Sequence, residues 1–142
     1  MVKIRTLSPQ PHPPVGETEK LTINLGVVDL GQVDLLVQEG FYSNRTDLIR
    51  TAIRNQLAMH AAVVQRTVAR RTLTLGLQHF SRSDLEQAQV AGQMLEIHVV
   101  GLARIAPDVS AELARATIGS VQVLGAFHAS PAVRKALADR MI

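Results

Sequence analysis

Three polar side chains alternate with three aliphatic ones in the stretch KLTINL, residues 20–25. Lys20, Thr22 and Asn24 occupy every second position, so they share one face when the stretch is extended. Their groups suit base edges, because an Asn amide can pair with adenine, Lys can reach guanine acceptors, and Thr can hydrogen-bond a base or contact a thymine methyl. The pattern therefore predicts a β-strand whose polar face could contact nucleic acid.

This predicted strand stands alone, because no second strand pattern follows before residue 72. A lone strand leaves its backbone N–H and C=O groups unpaired. Pairing with the same strand of a second copy satisfies them, so we expect the chain to dimerise. Two antiparallel copies would form a two-stranded ribbon. Such a ribbon fits the major groove of B-DNA, which is about 12 Å wide.

Helical spacing of aliphatic residues follows the strand. A first helix is expected to begin near Val28 and to end with Gly40 as its C-cap. Asn44 is a suitable N-cap for a second helix, and Asp47, three residues later, is the matching acid of a capping box. No Gly or Pro interrupts the next stretch, so we expect the second helix to continue to about Arg71.

The segment that results, KLTINLGVVDLGQVDLLVQEGFYSNRTDLIRTAIRNQL (residues 20–57), resembles the ribbon-helix-helix family of DNA-binding proteins. The order of strand, helix, Gly-aromatic turn, S-N-R-T-D and second helix carries the resemblance. It implies that the ribbon reads bases in the major groove. It also implies that the N-terminus of the second helix holds a backbone phosphate, at the positions Ser43, Asn44 and Arg45. The resemblance covers this N-terminal module only, and the C-terminal half carries no such resemblance.

The C-terminal half contains a repeat with an offset of about 24 residues. Residues 97–116 align with residues 121–140, and Gly101/Gly125 and Pro107/Pro131 are among the identical pairs. Each unit has the pattern of a strand followed by a short helix. The strands are expected near 72–80, 94–105 and 119–129, and the helices are expected to open at Ser81/Ser83, Pro107 and Pro131.

The sequence thus predicts an α+β protein: a ribbon-helix-helix dimerisation module followed by a small domain of three βα repeats. Residues 1–19 are expected to form a flexible Pro-rich arm, residues 20–71 the DNA-binding module with an extended second helix, and residues 72–142 an oligomerisation or interaction domain. Residues 1–71 hold nine Lys or Arg against six Asp or Glu, whereas the rest of the chain balances. A polyanion is therefore expected to bind the N-terminal half.

Several classes of function find no support in the sequence. The chain has no cysteine, and none of the P-loop, G-x-S-x-G or HExxH motifs occurs. The histidines His79, His98 and His128 do not reproduce the metal-sensor spacing of relatives that respond to nickel. We therefore expect no enzymatic activity, no cofactor and no metal. No apolar run of 18 residues and no signal-peptide core is present, so we expect no membrane partner and a cytoplasmic, nucleoid-associated location.

The function expected from these patterns is sequence-specific regulation of transcription, as a repressor. The partners would be double-stranded DNA, a second copy paired through the N-terminal strand, and further copies assembled through the C-terminal domain. One alternative is an antitoxin whose C-terminal half binds a toxin, although a near-neutral, repeat-patterned half argues against it. The other is a polymer-forming DNA organiser or a plasmid partition or relaxosome accessory.

Overall fold

The computed structural model describes residues 17–142, so the predicted arm lies outside the described residues except for its last three positions. The described chain divides into two compact units. One is a helical unit, Leu21–Leu73, and the other combines residues 17–20 with Thr74–Ile142. The second unit contains a sheet, and we call it the sheet unit. The mixed helix and strand content confirms the α+β class.

The helical unit begins with residues 21–26, which form neither a helix nor a paired strand. Its three helices are α1 (Val27–Gln38), α2 (Arg45–Met59) and α3 (Ala61–Arg70).

Gly40 ends the first helix as the sequence predicts. Its φ of +86° lies in the left-handed region that favours glycine. The Gly40 N–H donates to Val37 O at 3.1 Å, and the Phe41 N–H donates to Leu36 O at 3.0 Å. Together these bonds form a Schellman motif, which satisfies carbonyl groups at the helix end and turns the chain toward α2.

The second helix does not continue to Arg71, so that prediction was wrong. His60 adopts φ −101° and ψ 8° between α2 and α3. Its N–H donates to Leu57 O at 3.1 Å, one residue short of the α-helical pattern. Its carbonyl then accepts from the Val64 N–H at 3.0 Å, which restores the helix within one turn.

The sheet unit holds three parallel strands in the order β1, β2, β3. A helix follows each strand, as the sequence patterns predict. The elements are β1 (Thr74–Phe80), α4 (Arg82–Val90), β2 (Leu95–Ile105), α5 (Ala111–Thr117), β3 (Ile118–His128), α6 (Pro131–Ala136) and a final 3₁₀ turn (Ala138–Arg140).

Serine residues cap the three helices of the sheet unit. Ser81 forms a capping box with Asp84 at the start of α4. Ser130 caps α6, and Pro131 is the first residue of that helix. The predicted starts of α4 and α6 are therefore confirmed. The expected start of α5 at Pro107 was wrong. Its N-cap is Ser110, whose side chain accepts the Leu113 N–H at 3.1 Å. This cap satisfies a first-turn amide, and α5 begins after it.

One face of the sheet packs against the helices and forms the core. The buried members come from strands and helices alike: Leu85, Ile97, Val99, Ala103, Ile105, Val109, Ala114, Ile118, Val121, Val133 and Leu137. The strand positions between them point to the opposite face. We call this the open face; its apolar side chains are Leu75, Leu77, Val100, Leu102, Leu124 and Ala126.

No helix among residues 17–142 is both long enough and apolar enough to cross a membrane.

Candidate nucleic-acid interface

The three predicted base-reading residues, Lys20, Thr22 and Asn24, are all exposed. None of the backbone hydrogen bonds of the described residues joins residues 20–25 to another segment. The aliphatic residues between them are also exposed, with Leu21 at 77% and Ile23 at 56%. The segment therefore has unpaired backbone and an uncovered apolar face in the single chain, and its pairing with a second copy stays a prediction.

The helical unit has no core of its own. None of α1, α2 and α3 contains a buried residue, and every side chain from Leu21 to Thr72 is exposed or half-buried. Large aliphatic and aromatic groups remain in contact with solvent, including Phe41 at 71% and Leu57 at 60% exposure. A unit of three helices cannot offset the entropy of folding without burying such groups. It therefore needs another surface to cover them.

Asn44 caps α2 as the sequence predicts. Its side-chain oxygen accepts the Asp47 N–H at 2.8 Å. The Asp47 carboxylate accepts the Ser43 N–H at 2.9 Å, one residue before the position that a standard capping box uses. The intrahelical ladder begins with the Leu48 N–H on Asn44 O. The amides of Arg45 and Thr46 consequently have no intrahelical acceptor, and they lie at the positive end of the helix dipole.

Arg45 contacts a partner that the sequence patterns did not indicate. Its guanidinium makes two hydrogen bonds to the Asp34 carboxylate of α1, with Nε to Oδ1 at 2.7 Å and Nη2 to Oδ2 at 2.8 Å. The hydrogen bond to Arg45 lowers the pKa of Asp34, opposed by partial desolvation and reinforced by the opposite charge. Arg45 thus fixes α2 to α1, and in the single chain its charge is directed at a carboxylate.

Two further arginines lie beside the helix start. A surface cavity of about 410 Å³ is lined by Arg50 and Arg54 together with Ser43, Asn44, Thr46 and Asp47. Thr46, Arg50 and Arg54 are four residues apart and therefore follow one face of α2. The sequence alone is equally consistent with solvated side chains and with distant phosphate contacts for these two arginines. The sequence signal for Arg50 and Arg54 is their four-residue spacing along the helix that Asn44 caps.

This cavity has the features that an anion requires. The N-terminus of α2, with its free amides, and two arginines line one open surface. The acid at its edge, Asp47, is already hydrogen-bonded to Ser43. Among the described residues, no three His, Asp or Glu side chains come together in a way that could hold a metal ion.

Comparison with protein families decides how this arrangement is classified. A model of the Ribbon-Helix-Helix transcriptional regulator family matches residues 16–134. The chain belongs to this family. The match includes α1 and α2 of the ribbon-helix-helix module, and it also includes all three strands of the sheet unit. The resemblance in the sequence is confined to residues 20–57, whereas the family match extends through most of the C-terminal half.

Searches among curated proteins and among solved structures found no match to the chain. The ribbon-helix-helix assignment therefore stands on the family match and on the capped helix pair.

Proposed function

We propose that this chain is a dimeric, sequence-specific DNA-binding regulator that represses transcription by occupying operator DNA. The observation that carries the proposal is the lack of any buried side chain from Leu21 to Thr72. A second copy would cover these apolar surfaces, and pairing of residues 20–25 would complete the ribbon. Family membership supports both the DNA partner and the regulatory role. A protein with this function acts where the DNA lies, in the nucleoid.

We propose that one predicted set of site residues reads bases and that the other binds the DNA backbone. Lys20, Thr22 and Asn24 would read base edges, because their side chains are exposed and lie on alternate positions of the ribbon segment. Ser43 and Asn44 would position the dimer by holding a phosphate at the start of α2, and Arg45 would join them by exchanging Asp34 for DNA. The cavity beside Arg50 and Arg54 supports this role and adds two cations to it.

The sheet unit is proposed to be a domain of three βα repeats that assembles copies of the protein. The strand register supports a repeat, since Gly76, Gly101 and Gly125 are aligned across the three strands. The open face supports assembly, because parallel sheets usually have both faces covered. On this face Leu75 is 55% exposed and Leu77 and Leu124 are each 49% exposed. A second copy of the sheet is the occupant that we propose for the part of this face that residues 17–20 leave uncovered.

The test begins with DNA sequences selected in vitro by the full chain. Binding of the selected sequence and of a scrambled sequence is then measured for the wild type, Asn24→Ala and Arg50→Ala. We expect Asn24→Ala to lose about 1–3 kcal/mol of discrimination between the two sequences. We expect Arg50→Ala to weaken both sequences equally and to reduce the salt slope by about one.

Asn55→Ala is the matched control, because it removes the same amide from an exposed position of α2. It should bind both sequences as the wild type does. If Asn24→Ala discriminated as well as this control, residues 20–25 would not be the base-reading element. If no sequence were enriched at all, the proposed function would be wrong.

A further inference from the structure

The segment that leads into the ribbon is attached to the sheet. Residues 17–20 group with Thr74–Ile142, and the chain then continues directly into Leu21 and the proposed base-reading positions. We call residues 17–20 the strap. Lys20, the first proposed base-reading residue, is therefore the last residue of the strap.

One ion pair and one hydrogen bond fasten the strap to neighbouring strands. Glu17 lies 3.8 Å from Arg104 at the end of β2, and Glu19 Oε1 lies 2.9 Å from His128 Nε2 at the end of β3. Arg104 and His128 are register partners on adjacent strands. Strands lie about 4.8 Å apart, so two carboxylates two positions apart in the sequence span the distance between them.

The Glu17 contact is partly enclosed. The side chain of Glu17 is only 16% exposed, and that of Arg104 is 34% exposed. A carboxylate in such a position is costly unless it is paired, and the Arg104 guanidinium offsets its charge, although at 3.8 Å the two groups form no hydrogen bond. Glu19 is more exposed, at 63%, so solvent screens its hydrogen bond with His128 more strongly.

A row of glycines lies in the groove beside the strap. Gly76, Gly101 and Gly125 lie side by side on the three strands, and together with both strap glutamates they line a groove of about 480 Å³. Leu77, Leu102 and Ala126 of the open face line the same groove. Leu102 is only 8% exposed although it lies outside the core cluster, which is consistent with cover from this side.

We propose that Glu17, Glu19, Arg104 and His128 are positioning residues for DNA binding: the sheet holds the strap and thereby pre-orders the start of the ribbon. This inference rests on the proposed function. A ribbon whose first residues are already fixed loses less conformational entropy when it enters the groove. Residues of the sheet that do not touch DNA would then contribute to its affinity.

The test is a charge exchange between Glu17 and Arg104 in the full chain. Affinity for the selected DNA is measured for Arg104→Glu, Glu17→Arg and the double variant. Each single variant is expected to bind about ten-fold more weakly, because like charges release the strap. The double variant restores opposite charges and is expected to return to within about three-fold of the wild type. Glu112→Arg, at an exposed position of α5, is the control and should bind normally.

A second measurement needs no DNA. A lysine-specific protease cleaves after Lys20, and neither exchange adds a lysine. Cleavage at Lys20 is expected to be about ten-fold faster in each single variant than in the wild type and to slow again in the double variant. Circular dichroism checks that each variant is folded, and the milder pair Glu17→Gln and Arg104→Gln replaces any that is not.

The inference is overturned if the single variants bind DNA and resist cleavage like the wild type, or if the double variant recovers neither property. Asn24→Ala separates this failure from that of the proposed function. Loss of discrimination in Asn24→Ala with normal strap variants leaves the regulator intact and removes the strap's role. If selection enriches no DNA sequence, the proposed function fails, and the inference fails with it whatever the protease rates.

Discussion

Among single residues, Arg45 has two proposed roles, a contact with DNA phosphate and a link between α1 and α2. The family resemblance implies that it contacts phosphate, whereas in the single chain it forms a two-point ion pair with Asp34. Both groups are about half exposed, at 56% and 48%, so the pair is open to competition from DNA. A phosphate accepts the same planar fork of donors as a carboxylate. Exchange of one acceptor for the other would let Arg45 serve both roles.

The pKa of Asp34 reports which acceptor Arg45 uses. Because the pKa of Asp34 is lowered in the folded chain, its contribution to stability is present above the unfolded-state value near 4 and is lost as pH falls through the lower folded-state value. We expect carboxyl NMR titration to show this lowered pKa in the free protein. Addition of the selected DNA should raise it toward the ordinary value, as Arg45 transfers to phosphate.

Two variants serve as controls for this titration. In Arg45→Ala the pKa of Asp34 should lie near its ordinary value even without DNA, because the hydrogen bond that lowers it is gone. Arg50→Ala should leave the pKa of Asp34 low, since no Arg50 contact contributes to the shift. If DNA bound tightly while the pKa of Asp34 stayed low, Arg45 would be a structural link between α1 and α2, and its phosphate role would be wrong.

At the scale of elements, the glycine row governs how the three strands can lie side by side. Gly101 has φ +136°, and a Cβ placed on it would lie 2.1 Å from the carbonyl oxygen of Gly76. No side chain can relieve a contact with backbone, so the strands would have to separate. We expect Gly101→Ala to lower the free energy of unfolding by about 3 kcal/mol or more, from backbone strain and lost strand pairing together.

Gly76→Ala is a matched control for that substitution. Gly76 has a similar φ of +130°, but nothing lies within 4 Å of its added Cβ. It should therefore cost only the conformational strain, about 1–3 kcal/mol, and Gly101→Ala should cost more. Urea unfolding followed by far-ultraviolet circular dichroism measures both. Equal costs for the two variants would show that the close approach of β1 and β2 is not a constraint.

Local signals in the sequence predict where several helices begin and end, whereas contacts between residues far apart in the chain leave no such signal. Gly40 and Asn44 act on backbone groups within five residues, so their residue types were enough to indicate the caps. The ion pair of Arg45 with Asp34 joins residues eleven positions apart across a turn, and no periodicity indicates it. The break at His60 carries no Gly or Pro, so propensity alone favoured a continuous helix. At α5, two acceptable starts lay close together, and the serine cap decided between them.

At the scale of the whole molecule, the two units are unequal in what they bury. The sheet unit contains a core of fully buried aliphatic side chains between its strands and helices. The helical unit buries none between Leu21 and Thr72, although it carries the family's DNA-binding pattern. Stability of the helical unit should therefore depend on association, and its folding should be coupled to protein concentration.

The single tyrosine offers a probe for this coupling. Tyr42 lies in the α1–α2 turn, and the chain has no Trp, so ultraviolet fluorescence reports on the helical unit. We expect the midpoint of thermal unfolding seen by Tyr42 to rise by roughly 5 °C for each ten-fold increase in protein concentration, because association is worth about 1.4 kcal/mol per factor of ten. Ile23→Asp, which places a charge on the apolar face of the ribbon, should lower the midpoint at every concentration. Val90→Asp, at a position of α4 that is 90% exposed, should behave like the wild type. A midpoint that stayed constant over a hundred-fold range of concentration would mean that the helical unit folds alone, and it would remove the physical basis for an obligate dimer.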